Sequence, residues 1–318
     1  MKGKDFLTLS EFTSKDLESV LDVAARLKAK REAGLGSSAL RGKSVALVFE
    51  KPSLRTRTSF QVAVSELGGF SMNLSANELQ LGRGETVEDT ARVLSRYVHC
   101  IMARVNRHDD VERLAKAASV PVINGLSDAH HPVQILADLL TLREHKGRLR
   151  GLKVGWVGDG DNVCNSWAIG AALAGMRFTA ATPKGYEPAK EVLGMASKMA
   201  KATGGSVTVT ADPLEAVSDA DCVMTDTFVS MGFEKEQQQR QKSFMPKYRV
   251  TNALMARAKK DAIFEHCLPA HRGEEVDADV IDGPRSAVFD EAENRLHTEK
   301  ALLCFLMLGK REYSSLMP

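Results

Sequence analysis

The sequence predicts an α/β protein built of two doubly wound domains with parallel sheets. Short β-rich apolar segments alternate with segments of helical periodicity along the chain, which is the pattern of strand–helix–strand units. The chain has 318 residues, and because domains usually hold about 100–200 residues, two domains are expected. Ligands bind such sheets beyond the carboxyl ends of the strands. Functional residues are therefore expected at strand ends, in an active-site cleft between the domains.

The first half of the chain is predicted to contain four strands and the helices that connect them. Leucines and alanines recur at helical spacing after Ser14, which is the expected N-cap of the first helix. The strands are predicted at 44–50, 70–74, 100–104 and 119–123. The later helices are predicted at about 56–67, 86–96 and 109–118, and from Pro132 to about His145.

The second half repeats the pattern after a polar, glycine-containing segment at 146–153, where the domain boundary is expected. Its strands are predicted at 153–159, 177–182, 206–210, 221–226, 262–267 and 286–290. A final helix from Ala292 to Leu308 is long enough to return to the first domain. The predicted domains are residues 1–147, completed by the C-terminal segment 291–318, and residues 148–290.

Composition and charge narrow the class of protein. A net charge of +2 without long basic runs argues against nucleic-acid and membrane partners. The longest apolar run, 301–308, is too short to span a bilayer, and the N-terminus carries no apolar core of signal-peptide length. The five cysteines are odd in number and lie far apart, which argues against a disulfide framework or structural zinc. A cytoplasmic protein is expected.

The segment 51–60, KPSLRTRTSF, is predicted to bind an anion. A helix beginning near Arg55 would offer free backbone N–H groups and the positive end of its dipole. Ser53 and Thr56 would add hydroxyl donors, and Arg55 and Arg57 would add charge suited to phosphate or carboxylate. A Walker-type phosphate loop is excluded because the GxxxxGK[ST] pattern is missing.

The segment 154–163, VGWVGDGDNV, begins like a dinucleotide-binding unit but departs from that pattern. Val163 stands where the third glycine is required, and the next strand does not end in an acid that could hold a ribose. An NAD-dependent oxidoreductase is therefore a disfavoured alternative. Gly158 and Gly160 are expected to form a tight turn that places Asn162 at a helix N-terminus facing the cleft.

Three further segments place polar side chains at predicted strand or helix ends. His131 precedes Pro132 at a helix entry and shares a face with Gln134, so the pair could polarise a carbonyl and orient an amide. Asp226 could bind a cation or accept a proton at a strand end. Cys267 also follows a strand, where either a thiolate or an inert buried thiol is possible.

Jointly these segments resemble the aspartate/ornithine carbamoyltransferase family, and its ornithine-using members in particular. The likeness covers essentially the whole chain in order. It rests on SLRTR at 53–57, HPVQ at 131–134, DTFVSMG at 226–232 and HCLP at 266–269, together with 84–98 and 289–297. The resemblance implies transfer of a carbamoyl group from carbamoyl phosphate to L-ornithine, without a cofactor or a metal. It also implies a homotrimer, or a multiple of trimers, that works either in arginine biosynthesis or in the reverse, catabolic direction.

The resemblance implies roles for the positions that match. The carbamoyl phosphate site would comprise Ser53, Leu54, Arg55, Thr56, Gln80, Arg104, His131, Pro132, Val133, Gln134, Cys267, Leu268 and Arg295. Gln80 would serve the site of a neighbouring subunit. Ornithine would be bound by Asn162, Asp226, Ser230 and Met231. The catalytic residues would be Arg55, Arg104, His131, Asp226, Cys267 and Arg295.

One position departs from the family pattern, and other functions stay open. Leu54 stands where the family usually has threonine, so a modest change in carbamoyl phosphate affinity is expected. The acceptor could instead be aspartate, putrescine or an acylated ornithine, although the match at Asp226 and Ser230–Met231 favours free ornithine. A non-catalytic binding subunit with the same fold is a further alternative.

Overall fold

The computed structural model describes residues 4–75, 84–229 and 234–317. The chain divides into two compact units, Met1–Leu140 with Glu293–Pro318, and Thr141–Ala292. Each unit holds one parallel sheet whose strands alternate with helices, which confirms the predicted α/β class. In the described part of the chain, no helix combines the length and the apolarity that crossing a membrane requires.

The first unit is built on a four-stranded sheet of order β2-β1-β3-β4. Its strands are β1 (Ser44–Phe49), β2 (Phe70–Ser75), β3 (Cys100–Arg104) and β4 (Val122–Leu126). The accompanying helices are α1 (Ser14–Glu32), α2 (Leu54–Glu66), α3 (Val87–Tyr97), α4 (His108–Ala117) and α5 (Pro132–Lys146). β1 pairs in parallel with both β2 and β3. Its nearly continuous apolar sequence suits a strand covered on both faces.

The core of this unit forms where the two central strands pack on helices. Small and branched residues of β1 and β3 meet the apolar faces of α3 and α4, and the cluster includes Ala46, Val48, Ile101, Ala103, Ala91, Leu94, Val111 and Leu114. This packing fixes the carboxyl ends of β1, β3 and β4 side by side. The chain leaves these ends toward α2, α4 and α5.

The second unit is built on a five-stranded sheet of order β7-β6-β5-β8-β9. Its strands are β5 (Lys153–Val157), β6 (Arg177–Ala181), β7 (Ser206–Thr210), β8 (Cys222–Met224) and β9 (Ile263–Glu265). Its helices are α6 (Asn162–Leu173), α7 (Lys190–Thr203), α8 (Pro213–Val217), α9 (Gln237–Phe244), α10 (Asn252–Met255) and α11 (Ala278–Ile281). They are followed by α12 (Val288–Met307) and α13 (Lys310–Ser314), of which α13 and the greater part of α12 belong to the first unit. The division between the units falls within α5 and α12.

The strand predicted at 286–290 is wrong. Ser286 makes a single bridge to Phe264, and helix α12 already begins at Val288, four residues before the predicted start at Ala292. Asp290 and Glu291 lie in the first turn of this helix, where acidic side chains interact favourably with the helix dipole.

Among the other element ends that differ from the prediction, two have a clear local cause. Thr13, not Ser14, caps α1, because its side chain accepts from the Asp16 N–H while Asp16 reaches back to the backbone of Thr13. β4 begins at Val122, three residues later than predicted. Pro121 lacks the N–H that a strand interior needs, so it suits the position before the first strand residue.

Candidate active site

The N-terminus of α2 has the features of an anion site. Ser53 is the N-cap, but its side chain makes no capping hydrogen bond, and the first turn holds no acidic residue. Thr56 is buried, whereas Leu54 is 76% exposed. The first-turn N–H groups and the positive helix end therefore remain suited to an external anion. The predicted helix start near Arg55 is confirmed to within one residue.

Three arginines converge on His131, which lies just before α5. Burial lowers the pKa of His131 well below 6.5, and the charges of Arg295, Arg104 and Arg55 lower it further. His131 is therefore neutral at physiological pH and can polarise an acceptor as a hydrogen-bond donor, but not as a cation. Arg104 ends β3 and is itself buried. These side chains form a positive site beyond the carboxyl ends of adjacent strands, as predicted for this sheet.

A buried hydrogen-bond network joins α12 to α2 and α5. Arg295 donates from Nη1 to Gln134 Oε1 at 2.7 Å and from Nη2 to Thr56 Oγ1 at 3.3 Å. Gln134 Nε2 in turn donates to Asp138 Oδ1 at 2.8 Å. Arginine only donates and an ionised carboxylate only accepts, so these two partners fix which way the Gln134 amide faces. Pro132 and Val133, the first residues of α5, are buried beside this network.

In the second unit, Asp226 and Cys267 follow β8 and β9 and lie side by side. The Cys267 thiol donates to Asp226 Oδ1 at 3.3 Å, and the same oxygen accepts from the Thr227 N–H at 2.7 Å. Asp226 is buried, and Cys267 is half-buried. The arrangement sets a carboxylate beside a thiol, which is a suitable pair to orient a cationic amine and receive its proton.

His266 anchors the turn that carries Cys267. Its Nδ1 accepts from the Leu268 N–H at 2.9 Å, and its Nε2 lies 3.3 Å from Glu275 Oε1. Leu268 has a φ of +57°, a left-handed conformation that this hydrogen bond helps to hold. His266 and Glu275 are both fully buried. The pair therefore supports the backbone from inside the second unit.

Among the residues that the structure describes, two groups of side chains have ligand atoms close enough to hold a metal ion. They are Asp226 with His266 and Cys267, and His271 with Glu274 and Glu275. Both ring nitrogens of His266 already have hydrogen-bond partners, so a metal would have to displace one of them. The expected absence of a metal stays a prediction.

Asp161 was not predicted as a site residue, although it precedes Asn162 at the start of α6. Its carboxylate caps the helix by accepting from the N–H groups of Val163 and Cys164, each at 2.9 Å. Burial and the neighbouring Asp226 carboxylate raise the pKa of Asp161 well above 3.8. The acid beside Asn162 was the available signal, but only the fold brings it to Asp226.

The predicted site residues thus form two sets, one in each unit. The first set contains Ser53, Leu54, Arg55, Thr56, Arg104, His131, Pro132, Val133, Gln134 and Arg295, and the second contains Asn162, Asp226, Cys267 and Leu268. Gln80, Ser230 and Met231 lie outside the described residues. The individual roles and the cleft stay predictions.

Comparisons with known proteins assign the two parts of the chain to two domains of one family. Residues 4–144 match the family model described as aspartate/ornithine carbamoyltransferase, carbamoyl-P binding domain. Residues 150–306 match the Asp/Orn binding domain of the same family. The chain is 54% identical over 306 residues to an ornithine carbamoyltransferase of Carboxydothermus hydrogenoformans, a match that covers 96% of this chain and 98% of that one.

Solved structures give the same result. The structure of ornithine carbamoyltransferase from Pyrococcus furiosus is similar with a TM-score of 0.93 and 51% identity, covering 96% of this chain and 97% of that one. The enzyme from Thermus thermophilus is similar with a TM-score of 0.87 and 45% identity, covering 97% and 100%. On both family models and these near-full-length matches, this chain belongs to the aspartate/ornithine carbamoyltransferase family.

Proposed function

We propose that this chain transfers the carbamoyl group of carbamoyl phosphate to the side-chain amine of L-ornithine, giving L-citrulline and phosphate. The observation that carries the proposal is the convergence of Arg55, Arg104 and Arg295 on a buried, neutral His131. Residues 1–147 with 291–318 would bind carbamoyl phosphate, and residues 148–290 would bind ornithine.

The phosphate would bind at the N-terminus of α2. Its oxygens would accept from the N–H groups of the first turn and from Ser53 and Thr56, while Arg55 and Arg104 neutralise its charge. Leu54 would contribute only its backbone N–H. The same cations stabilise the charge that gathers on the phosphate as it leaves. Gln80, from a neighbouring subunit, would complete this part of the site.

The carbamoyl group would bind at His131, Gln134 and Arg295. When the amine attacks the carbamoyl carbon, negative charge develops on the carbonyl oxygen. A neutral imidazole and a guanidinium held in place before the reaction stabilise this charge without reorganisation. Pro132, Val133, Cys267 and Leu268 would shape the pocket around the group.

The ornithine amine must lose a proton before it can attack. With a pKa of about 10.4, an alkyl amine is neutral only to about 4 parts in 10,000 at pH 7, which corresponds to roughly 4–5 kcal/mol. The Asp226–Cys267 pair would orient the ammonium group and assist the loss of its proton. The nitrogen then bonds to the carbamoyl carbon, and the bond from that carbon to the phosphate oxygen breaks.

Free ornithine is the favoured acceptor within the family. Asn162 and Asp226, with Ser230 and Met231, would bind its α-amino and carboxylate groups. Putrescine lacks the carboxylate and an acylated ornithine lacks the charged α-amine, so each would leave part of this set without its partner. Aspartate lacks the side-chain amine that the Asp226–Cys267 pair would serve.

The setting of the enzyme is also proposed from the family likeness. A homotrimer, or a multiple of trimers, in the cytoplasm would serve arginine biosynthesis. All five cysteines are free thiols, which is consistent with a reducing compartment. Sedimentation analysis of the purified chain would measure the assembly directly.

The reaction can be tested by measuring citrulline from ornithine and carbamoyl phosphate. Aspartate, putrescine and acetylornithine are assayed in parallel at equal concentration, and ornithine is expected to be carbamoylated fastest. If another amine were carbamoylated and ornithine were not, that amine would be the acceptor and the choice of ornithine would be wrong. The absence of any carbamoylated product would overturn the proposed function.

Two substitutions separate the proposed roles. Arg55→Ala should lower kcat/KM for carbamoyl phosphate by at least about 1000-fold, because a charge that stabilises the leaving phosphate is lost. Arg57→Ala replaces an exposed arginine two residues further along α2; it is the control and should keep normal kinetics. Cys267→Ala should instead raise KM for ornithine and change the pH profile. Unchanged rate, ornithine KM and pH profile in Cys267→Ala would exclude the role in amine activation.

A further inference from the structure

Glu299 makes a buried contact with Arg295 that the roles assigned above do not include. It lies one helical turn beyond Arg295 on α12 and is 1% exposed. Its Oε1 accepts from Arg295 Nε at 3.1 Å and from Nη2 at 2.8 Å. One carboxylate oxygen thus takes two donors on the same edge of the guanidinium.

This contact determines how the guanidinium is turned. Arginine has a planar group with donors in a fixed arrangement, so holding one edge fixes the direction of the others. With Nε and Nη2 on Glu299, Nη1 faces Gln134 Oε1 at 2.7 Å and Nη2 reaches Thr56 Oγ1 at 3.3 Å. Without Glu299, the guanidinium would lose its only charged partner among these contacts.

The burial of Glu299 argues against a role in stability alone. A buried ion pair often contributes little net stability, because removing both charges from water costs about as much as the pair returns. The next residue, Lys300, shows a more ordinary arrangement: it pairs at 2.8 Å with Glu66, whose side chain is 30% exposed. Glu299 Oε2, in contrast, is buried and has no hydrogen-bond partner among the described residues.

We propose that Glu299 is a positioning residue for carbamoyl transfer, holding Arg295 in the orientation that presents its remaining donors toward Gln134 and Thr56. This inference rests on the proposed function, because Arg295 is assigned there to the carbamoyl end of the substrate. Glu299 itself touches neither reacting atom, so its effect passes through Arg295. The phosphate end of the site has its own donors at α2 and Arg104.

The positioning depends on the charge of Glu299. Burial raises the pKa of Glu299 from 4.5 to about 7, while the Arg295 charge and hydrogen bonds from Ser59 and Arg295 oppose the increase. These groups lie on α2 and on α12 itself, and Asp138 of α5 is one further hydrogen bond away through Gln134. As the pH falls through about 7, Glu299 takes up a proton and loses its ion pair with Arg295.

The test compares the wild-type protein with three variants, Glu299→Ala, Glu299→Gln and a control, each as the complete assembled protein. Steady-state citrulline formation is measured from pH 6 to pH 8.5, together with inhibition by inorganic phosphate. Glu299→Ala should raise KM for carbamoyl phosphate or lower kcat by about tenfold or more at pH 8, the effect of losing a charged hydrogen-bond partner. The inhibition constant of phosphate should change by less than about threefold, since phosphate lacks a carbamoyl end.

Glu299→Gln keeps the size and one acceptor oxygen but removes the charge. It should recover part of the activity at pH 8 and lack the fall in activity below about pH 7 that is expected of the wild type. Glu66→Gln, which breaks the neighbouring Lys300 pair, is the control and should leave kinetics and pH profile unchanged. If Glu299→Ala does not fold, the pH profile of Glu299→Gln decides the question alone.

Distinct outcomes separate this inference from the proposed function. A wild-type protein that forms no citrulline would contradict the function itself. An active wild type in which both Glu299 variants keep the normal KM, kcat and pH profile would overturn the positioning role. Equal weakening of carbamoyl phosphate and inorganic phosphate would also overturn it, because that pattern indicates general damage to the site.

Discussion

At the scale of single residues, Leu54 separates the backbone contribution to the phosphate site from the side-chain contribution. It is the first residue of α2 and is 76% exposed, so a different side chain can be placed there without repacking a core. The N–H of this residue is retained whatever the side chain is. Only a side-chain hydroxyl, which a threonine would supply, is missing at this position.

Replacing Leu54 by threonine should therefore strengthen carbamoyl phosphate binding. One hydrogen bond to a charged acceptor predicts a decrease in KM for carbamoyl phosphate of about threefold to tenfold, with little change in kcat. Steady-state kinetics measure both constants. Leu35→Thr replaces another exposed leucine and should change neither. An unchanged KM in Leu54→Thr would mean that the phosphate takes no side-chain contact at this position.

Asp161 predicts a dependence of stability on pH. Because burial and Asp226 raise its pKa well above 3.8, its ionisation costs folding free energy. This cost is absent below the unfolded-state pKa and grows as the pH rises toward the folded-state pKa. Asparagine caps helices about as well as aspartate does but carries no charge.

Asp161→Asn should consequently raise the melting temperature at pH 8 and leave it nearly unchanged at pH 4. Thermal unfolding followed by circular dichroism at both pH values measures this difference. Asp212→Asn is the matched control, since Asp212 caps α8 through the Leu214 N–H but is exposed. A gain for Asp161→Asn that did not grow from pH 4 to pH 8 would contradict the raised pKa.

At the scale of elements, the turn from β5 into α6 contains a glycine, Gly160, at a position where the neighbouring backbone leaves no room for a side chain. A Cβ at Gly160 would lie 2.2 Å from the Pro188 nitrogen and 2.6 Å from the Tyr186 carbonyl oxygen. The Gly160 N–H also donates to that same oxygen at 2.8 Å. Gly160, which also fits part of a nucleotide-binding pattern, is thus explained by close backbone approach.

Two glycine-to-alanine substitutions should therefore have opposite effects. Gly160→Ala should destabilise the protein by more than about 2 kcal/mol and raise KM for ornithine, because the turn carrying Asp161 and Asn162 must shift. Gly194→Ala, inside α7 with nothing within 4 Å of its Cβ, should stabilise by about 1 kcal/mol. Denaturant unfolding measures both. A neutral Gly160→Ala would contradict the close packing of this turn.

The element predictions failed where local pattern and tertiary context differ. The apolar residues at 286–290 were assigned to a strand because of their composition, but they lie where α12 begins. Short apolar runs fit a buried helix end as well as a strand, so periodicity cannot distinguish them. The helices of the first unit and the central strands were placed to within about two residues, because their patterns extend over several turns or cross a whole buried strand.

At the scale of the whole molecule, the expected trimer makes a prediction about shared sites. If Gln80 serves a neighbouring subunit, Arg55→Ala and Gln80→Ala inactivate different contributions to the same site. A cyclic trimer that contains both variants has three sites. In one of them, the Arg55 of one subunit and the Gln80 of its neighbour are both unchanged, while each of the other two sites carries at least one of the substitutions. Random reassembly of equal amounts should therefore restore about a quarter of the wild-type activity.

The measurement is citrulline formation after the two inactive variants are dissociated, mixed and reassembled together. Each variant taken through the same procedure alone is the control and should stay inactive. Arg55→Ala mixed with Arg104→Ala should give no recovery, because both residues come from the subunit that holds the phosphate. If the Arg55→Ala and Gln80→Ala mixture also stays inactive, Gln80 does not act across subunits.

The sequence by itself determined the fold class, the order of the motifs and the family. Alternating apolar patterns are local properties of the chain, and adjacent parallel strands bring their carboxyl ends together, so Ser53, Arg104 and His131 could be predicted to meet. Only the tertiary structure revealed Asp161 beside Asp226, and Glu299 on the edge of Arg295 that faces away from Gln134. The effects of Asp161 and Glu299 depend on how deeply each carboxylate is buried and on which charged side chain lies beside it. These quantities arise from packing between distant segments, so spacing along the chain does not encode them.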